Sequence, residues 1–156
     1  MLNRDIKYLL RAMEEKDITQ IVEIEKQSFP APWSTYAFKC ELADNDFARY
    51  LIVTTEDNQE LVLGYGGMWL IIDEAHITNI AIAPEYRGQN LGELLMGGLE
   101  TLAMQKGALR MTLEVRVSNE KAQALYKRRG FVPSGIRPNY YVAENEDALI
   151  MWKEFF

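Results

Sequence analysis

The chain has 156 residues, of which 48% are hydrophobic, and this size and composition are typical of one domain with a sizeable core. Its net charge of −6 and isoelectric point of about 4.9 argue against a protein that binds a nucleic-acid backbone. A single cysteine, Cys40, excludes an internal disulfide and is typical of a reducing compartment, and one histidine argues against a transition-metal site.

No stretch of the sequence predicts export or membrane insertion. Apolar runs stay well short of the ~20 residues that cross a bilayer, and MLNRDIKYLL lacks the apolar segment and cleavage site of a signal peptide. We therefore expect a cytoplasmic protein without a membrane partner. The acidic balance favours a cationic partner or an amine substrate, although mild acidity is also common among cytoplasmic proteins.

The first third of the chain predicts a strand and two helices. After a strand at Tyr8–Met13, Asp17 can cap a helix whose apolar side carries Ile18, Ile21, Val22 and Ile24. The prolines of FPAPWS forbid helix, and Ser34 can cap a second helix that runs through Phe38 and Leu42. The sequence DND then predicts a loop.

Three strand-like stretches follow and predict an antiparallel meander: Phe47–Thr55, Leu61–Ile72 and Ala75–Ala83. A helix is expected from about Leu91 to Lys106, with Gly107 just beyond its end. The remaining predicted elements are a strand at Leu109–Val117, a helix at Asn119–Arg129 closed by Gly130, and a hairpin of Ile136–Ala143 and Ala148–Phe155 around ENED.

This order, β-α-α-β-β-β-α-β-α-β-β, predicts an α/β protein with a mixed sheet. The strand–helix–strand crossover in the middle implies that two neighbouring strands run parallel. No linker, repeat or low-complexity tract interrupts the order, so we expect a single domain over residues 1–156.

The stretch YRGQNLGELL, Tyr86–Leu95, places two glycines and an arginine between a strand and a helix. A helix start exposes unbonded amide N–H groups at the positive end of a dipole, and a pyrophosphate can reach them where side chains are small. Gly88 and Gly92 would allow this approach, Arg87 adds positive charge, and Asn90 tolerates a left-handed backbone. The alternative to a phosphate-binding loop is a turn that merely uses glycine.

The strand Leu109–Val117 carries a candidate carboxylate. Alternation places Glu114 between Arg110 and Arg116 on the side opposite the apolar face. A polar side on a middle strand indicates a cleft, because a covered strand should be apolar on both faces. The alternatives are an exposed face, or Glu114 paired with Arg110 or Arg116.

Asn119 and Tyr126 lie seven residues apart on the next predicted helix, so they share one face, and Ala122 leaves room between them. An amide and a phenol would then project beside the strand that carries the carboxylate. The alternatives are that Asn119 only caps its helix and that Tyr126 only fills the core.

Together these features resemble the GCN5-related N-acetyltransferase (GNAT) family, and within it the RimI family of bacterial ribosomal-protein alanine N-acetyltransferases. The resemblance covers nearly the whole chain through FPAPWS, ITNIAIAPEYRGQNLG, LEVRVSNEKAQALYKRRGF, and IRPNYY followed by EDALIM. The GNAT loop usually reads Q/R-x-x-G-x-G/A, so Arg87 and Gly92 match it and Asn90 replaces the middle glycine. The resemblance implies the GNAT fold and acetyl-coenzyme A (acetyl-CoA) as cosubstrate.

The resemblance also implies a role for individual residues. Glu114 resembles the general base of the family and Tyr126 its general acid. The acceptor would be bound near Arg116, Tyr140 and Tyr141. The residues implied to contact acetyl-CoA are Ile80, Ala81 and Ile82 along the pantetheine arm, Arg87, Gly88, Gln89, Asn90, Leu91, Gly92 and Glu93 at the pyrophosphate, and Asn119.

The implied reaction acetylates the N-terminal α-amine of a protein, and the expected partner is a basic small-subunit ribosomal protein that begins with alanine. Glu114 would deprotonate the amine, a strand amide would stabilise the oxyanion, and Tyr126 would protonate the departing thiolate. Cys40 has no evident histidine partner for an acyl-enzyme, and His76 is interpreted as structural and remote. No metal and no direct nucleic-acid partner are expected.

Two other functions stay open at this point. The chain could acetylate a small amine or a lysine side chain, which would keep the cosubstrate and change the acceptor. It could also bind acyl-CoA without catalysis, although the presence of both Glu114 and Tyr126 argues against that. The sequence makes no prediction of the oligomeric state.

Overall fold

A seven-stranded sheet organises the chain. The computed structural model describes residues 6–156, and the first five residues of the predicted domain lie outside this range. The strands are β1 (Tyr8–Ala12), β2 (Ala48–Thr55), β3 (Gly64–Ile71), β4 (Glu74–Ile82), β5 (Arg110–Arg116), β6 (Val132–Tyr141) and β7 (Glu146–Glu154). The helices are α1 (Ile18–Ser28), α2 (Thr35–Ala43), α3 (Leu91–Gln105) and α4 (Glu120–Arg128). Within the described residues, no helix combines the length and apolarity needed to cross a membrane.

The strands lie in the order β1-β2-β3-β4-β5-β7-β6. Neighbouring strands are antiparallel except β4 and β5, which run parallel and are joined through α3. The predicted element order, the antiparallel meander and the parallel crossover are therefore confirmed. The mixed sheet with four helices has the architecture that the resemblance implied.

The parallel pairing of β4 with β5 is short. It covers three residue pairs and ends where His76 faces Thr112. On the other side of β4, Met68 pairs with Ile77 and Gly67 pairs with Asn79, so Thr78 is the extra residue of a β-bulge. A bulge bends the strand that contains it. The sheet therefore opens between the second half of β4 and the second half of β5.

Both faces of the sheet are covered by helices. On one face, Met96 of α3 and Tyr126 of α4 share an apolar cluster with Met111 of β5. On the other face, Phe38 of α2 packs in a second cluster with Tyr65 of β3, to which α1 also contributes. The burial of apolar side chains on both faces explains why the middle strands are held between two helical layers.

Most element boundaries lie within two residues of the sequence prediction, and two strands differ by more. β3 begins at Gly64 rather than Leu61, after a segment in which Leu63 still donates its N–H to Val53. β6 begins at Val132 rather than Ile136, so it includes Pro133. A sheet tolerates proline in an edge strand, and β6 is an edge strand.

The two predicted helix caps differ in outcome. The Ser34 hydroxyl accepts a hydrogen bond from the Ala37 N–H at 3.1 Å, so the predicted cap of α2 is confirmed. Asp17 does not cap α1, and that prediction is wrong. Its backbone is already helical, and its carboxylate accepts two 2.8 Å hydrogen bonds from the Arg11 guanidinium. The carboxylate also accepts the Glu14 N–H at 2.8 Å, so its partners precede α1 and the first amides of α1 are not among them.

The close approach of β3 to Tyr50 gives a prediction for stability. A Cβ atom built on Gly67 would lie 2.1 Å from the Tyr50 ring, which is buried, whereas one built on Gly135 meets nothing within 4 Å. Gly67→Ala should lower the free energy of unfolding by about 1–3 kcal/mol through overpacking. Gly135→Ala, the matched control, should change it by less than about 0.5 kcal/mol. Urea denaturation compares the two variants, and equal stabilities would contradict the predicted contact.

Candidate active site

The turn between β4 and α3 leaves a row of backbone amides exposed. A short 3₁₀ helix at Pro84–Tyr86 ends the strand, Gly88 has a φ of 82°, and Asn90 has a φ of 62° just before α3 begins. The left-handed backbone predicted for Asn90 is therefore present. Within residues 6–156, the amides from 88 to 93 have no hydrogen-bond acceptor, and the first bonded amide is that of Leu94.

Arg87 holds this turn against the neighbouring strand and helix. Its Nε donates to the Ile82 carbonyl at 3.0 Å, and one terminal nitrogen donates to the Ser28 hydroxyl at 3.0 Å. The guanidinium is thus fixed at the wall of the turn, where its charge adds to the positive end of the α3 dipole.

A cavity of about 420 Å³ lies in front of these amides. Ten of the eleven residues that the sequence assigned to the cosubstrate line it; Gln89 does not, because its side chain turns away and accepts a 2.6 Å hydrogen bond from the Tyr8 hydroxyl. Lys121 and Arg128 also line the cavity and were missed. They are seven residues apart on α4, the spacing that identified Asn119 and Tyr126, so the same pattern could have found them.

The chemistry of this cavity fits a diphosphate. It combines unbonded helix-start amides, a glycine whose Cβ position is open space, and the cationic side chains of Arg87, Lys121 and Arg128. Glu93 is the carboxylate of the same wall, and Arg128 pairs with it at 2.9 Å. Oriented backbone amides and fixed positive charge together make an anion site at a helix start. The alternative of a turn that merely uses glycine does not explain this accumulation of donors.

A second cavity, of about 550 Å³, meets the first at the opening of the sheet. The two cavities share wall residues from two elements, Ile80 of β4 and Ala122 and Tyr126 of α4, together with Phe29 and Asn119 beside the helices. Glu114 lines only the second cavity. The anion site and the carboxylate therefore lie toward opposite ends of one continuous channel, with Tyr126 at the junction.

Glu114 is almost completely buried, with 6% of its side chain exposed. Its Oε2 lies 2.6 Å from Nε2 of His76, and its Oε1 lies 3.7 Å from the Arg137 guanidinium. The interpretation of His76 as remote from the site was wrong, since the parallel register places it next to the carboxylate. The suggested pairing with Arg110 or Arg116 does not occur, because each of those arginines pairs with other carboxylates.

Arg116 and the tyrosine pair form one wall of the second cavity. The Arg116 guanidinium lies 3.9 Å from the centre of the Tyr141 ring and is 3.4 Å from Glu144 and from Glu146. Tyr140 packs edge-on against Tyr141 with ring centres 5.1 Å apart. Burial raises the pKa of Tyr141 to about 12, against the opposing effect of Arg116. All three predicted acceptor residues line this cavity.

Asn119 and Tyr126 line both cavities, as their shared helix face predicted. Asn119 also caps α4, because its side-chain oxygen accepts from the Ala122 N–H at 3.1 Å. Capping and cavity lining are therefore compatible in this residue. Burial, and to a smaller extent Tyr141, raises the pKa of Tyr126, so the phenol stays protonated at neutral pH.

A buried carboxylate on α1, Glu25, was missed because the sequence presents it as one acidic residue of an amphipathic helix. It lines the second cavity and is 1% exposed. It accepts hydrogen bonds from the Tyr65 hydroxyl, from the Trp33 N–H at 2.8 Å and from the Asn79 amide at 3.3 Å. Within the described residues, no group of three His, Cys, Asp or Glu side chains is placed to hold a metal ion.

The chain is similar in sequence to bacterial proteins that carry a functional name. A Bacillus subtilis protein provisionally named a [ribosomal protein bS18]-alanine N-acetyltransferase is 49% identical over 146 residues, which cover 94% of this chain and 95% of the relative. A [ribosomal protein bS18]-alanine N-acetyltransferase of Haemophilus influenzae is 36% identical over 146 residues, covering 92% and 96%.

A solved structure gives the same picture in three dimensions. The ribosomal-protein-S18-alanine N-acetyltransferase from Escherichia coli superposes with a TM-score of 0.83 at 30% identity, covering 94% of this chain and 93% of that protein. The Acetyltransferase (GNAT) family matches residues 18–131, a range that includes the turn after β4, the carboxylate strand β5 and helix α4. The chain therefore belongs to the GNAT family of acetyltransferases.

Proposed function

We propose that this enzyme transfers an acetyl group from acetyl-CoA to the N-terminal α-amine of ribosomal protein bS18, at an alanine. One observation carries the proposal: the two cavities adjoin, with the free amides of the α3 start at one end and the buried carboxylate of Glu114 at the other. A long cosubstrate with an anionic end and a reactive thioester suits such a channel. The names of the relatives support the acceptor.

The chain's own groups would seat acetyl-CoA along the channel. Amides 88–93 would take the diphosphate, and Ile80, Ala81 and Ile82 would lie along the pantetheine arm, where β4 has no partner strand on its β5 side. Acetyl-CoA supplies an activated acetyl group and a thiolate leaving group. A β4 amide in this region would donate a hydrogen bond to the acyl oxygen as negative charge develops there.

Glu114 would act as the general base. An α-amine with an unperturbed pKa of about 7.7–8.0 is largely protonated near neutral pH, so it must lose a proton before it can attack. Glu114 lines the second cavity, which we call the acceptor cavity, and is nearly buried, so bulk water does not compete strongly for its free oxygen. It would take the proton directly or through one water.

Tyr126 would act as the general acid. It lies at the junction of the two cavities, where the sulfur of a bound thioester would sit between the diphosphate site and Glu114. Its raised pKa keeps the proton available at physiological pH. The phenol would donate that proton to the departing thiolate.

The charge of the acceptor cavity suits an N-terminal ammonium group. Glu25, Glu114 and Glu144 line it, and Arg116 is the charged residue of opposite sign among its lining residues. A local excess of carboxylates attracts a cationic peptide and orients its amine. An enzyme that modifies a ribosomal protein would work in the cytoplasm.

The diphosphate site predicts an effect on acetyl-CoA affinity. Gly92→Val should weaken acetyl-CoA binding by ~10-fold, because a branched side chain would stand in front of the free amides. Gly97→Val on the same helix is the control, since a Cβ at either glycine makes its nearest contact at 3.4 Å and Gly97 lies outside this cavity. Isothermal calorimetry measures both, and equal affinities would remove the diphosphate assignment.

The acceptor is tested with synthetic peptides, acetyl-CoA and mass spectrometry. A peptide that begins with alanine should gain one acetyl group on its α-amine. The same peptide with a blocked N-terminus and an internal lysine should gain none, and spermidine should react far more slowly. Preferred reaction of spermidine or of the lysine side chain would replace bS18 by that acceptor class. Transfer to none of them would favour a silent acyl-CoA-binding protein.

Glu114→Gln tests the proposed general base in the same reaction. It should lower kcat by ~10²-fold while leaving acetyl-CoA affinity within about twofold, because the base acts on the acceptor and not on the diphosphate. An unchanged kcat would take the role of base away from Glu114.

Tyr126→Phe gives a prediction about pH. The variant should reduce kcat by ~10-fold or more with little change in acetyl-CoA affinity, because it lacks the donated proton. Tyr126 acts in its protonated form and its pKa is raised, so in the unsubstituted enzyme its deprotonation should not reduce kcat below about pH 10. An unchanged kcat in Tyr126→Phe would remove Tyr126 as the general acid. A kcat that falls at pH 8 to 9 in the unsubstituted enzyme but not in the variant would contradict the raised pKa of Tyr126 and not its role.

A further inference from the structure

We infer that His76 is a positioning residue for Glu114: its Nε2–H holds Oε2 of the carboxylate, so that Oε1 is left for the incoming amine. The inference rests on the proposed role of Glu114 as the base. No role for a histidine followed from the sequence pattern, and none of the wall residues of the acceptor cavity is His76.

The contact is set by the backbone rather than by chance proximity of flexible side chains. His76 is the last residue of β4 that pairs with β5, and it faces Thr112. Glu114 follows Thr112 by two positions, so Thr112 and Glu114 point to the same face of β5. The Nε2–Oε2 distance is 2.6 Å, which is short for a hydrogen bond to a carboxylate.

The imidazole is itself held in place. Trp69 of β3 pairs with His76 across the antiparallel ladder, and the two rings are perpendicular with centres 6.4 Å apart. The Trp69 indole N–H donates to Glu41 at 2.7 Å, which fixes the indole. A chain of contacts thus runs from α2 through β3 and β4 to the carboxylate on β5.

The two oxygens of Glu114 have different surroundings. When the carboxylate is ionised it only accepts hydrogen bonds, so Nε2 of His76 must be the donor. Oε2 is therefore occupied by His76 on the side away from the acceptor cavity. Oε1 has the half-exposed Arg137 at 3.7 Å, too far for a hydrogen bond, and is free to accept a proton.

Other groups facing Glu114 do not duplicate this contact. Arg137, Tyr140 and Tyr141 of β6 lie near it. The other charged or titratable residues of the acceptor cavity are Glu25, Arg116, Tyr126 and Glu144. β7 places Ile150 opposite Glu114, and β3 contributes the indole of Trp69 behind the imidazole. Within the described range, His76 alone forms a hydrogen bond with the Glu114 carboxylate.

A matched pair of amides tests the inference. In His76→Gln the side-chain nitrogen reaches about as far as Nε2, whereas in His76→Asn the same group is one methylene shorter and stops short of Oε2. Kinetics are measured from pH 6 to 9 with acetyl-CoA and the peptide that begins with alanine. Thermal unfolding and acetyl-CoA calorimetry establish that both variants are folded and bind the cosubstrate.

We expect His76→Gln to keep kcat within about threefold of the unsubstituted enzyme over this pH range. His76→Asn should lower kcat by ~10-fold with both KM values nearly unchanged, because the carboxylate loses the donor that positions it while the binding sites stay intact.

Equal behaviour of the two amides, whether both active or both impaired, would overturn the inference.

A double-mutant cycle adds a second criterion: in the Glu114→Gln background, His76→Asn should cost less than about twofold in kcat. A full tenfold effect there would mean that His76 acts independently of Glu114. If Glu114→Gln alone is fully active, the proposed base fails; if it is impaired while His76→Asn is normal, only the present inference fails.

Discussion

The site depends on the early end of the β4–β5 ladder. After three paired residues the two strands separate, and the bulge at Thr78 directs β4 away from its neighbour. A middle strand normally satisfies its backbone groups on both edges, and an unpaired polar backbone that is buried is costly. The second half of β4 therefore keeps one edge open to water or to a ligand. No insertion or separate domain is needed to build the channel, since the gap in the sheet is the channel.

The same gap explains how side chains from opposite faces of the sheet reach one place. Glu114 points to the face covered by α1 and α2, whereas Tyr126 belongs to the cluster on the face covered by α3 and α4. In a continuous sheet the backbone of the strands would separate them. Here both line the second cavity, so a carboxylate and a phenol that come from opposite faces of the sheet border the same space.

Charge is distributed unevenly along the channel. Free amides and the cations Arg87, Lys121 and Arg128 surround one end, and the carboxylates Glu25, Glu114 and Glu144 line the other. In a chain with a net charge of −6, the positive end is therefore a local exception. An elongated ligand with an anionic terminus has one favourable orientation in this field, which fixes its direction before any specific contact forms.

Much of this arrangement could be predicted from sequence, for identifiable reasons. Apolar periodicity and the breakers Pro84, Gly107 and Gly130 define the order of elements, because each acts through local backbone preferences. The contact between His76 and Glu114 could not be predicted, since it depends on the register of a parallel pair joined through a helix. Glu25 was hidden for a similar reason: only packing distinguishes a buried acid on a helix from a solvated one. The direction of Gln89 depends on β1, more than 70 residues away in the chain.

The edge strand β6 has a consequence for how the protein behaves in a crowded cell. Sheet edges with unpaired amides recruit other extended chains, and proteins protect them with proline and with irregular pairing. β6 contains Pro133 and Pro138, and its register with β7 slips between Arg137 and Tyr141. β6, which carries Tyr140 and Tyr141, can therefore stay exposed at the edge of the sheet without pairing with other extended chains and starting aggregation.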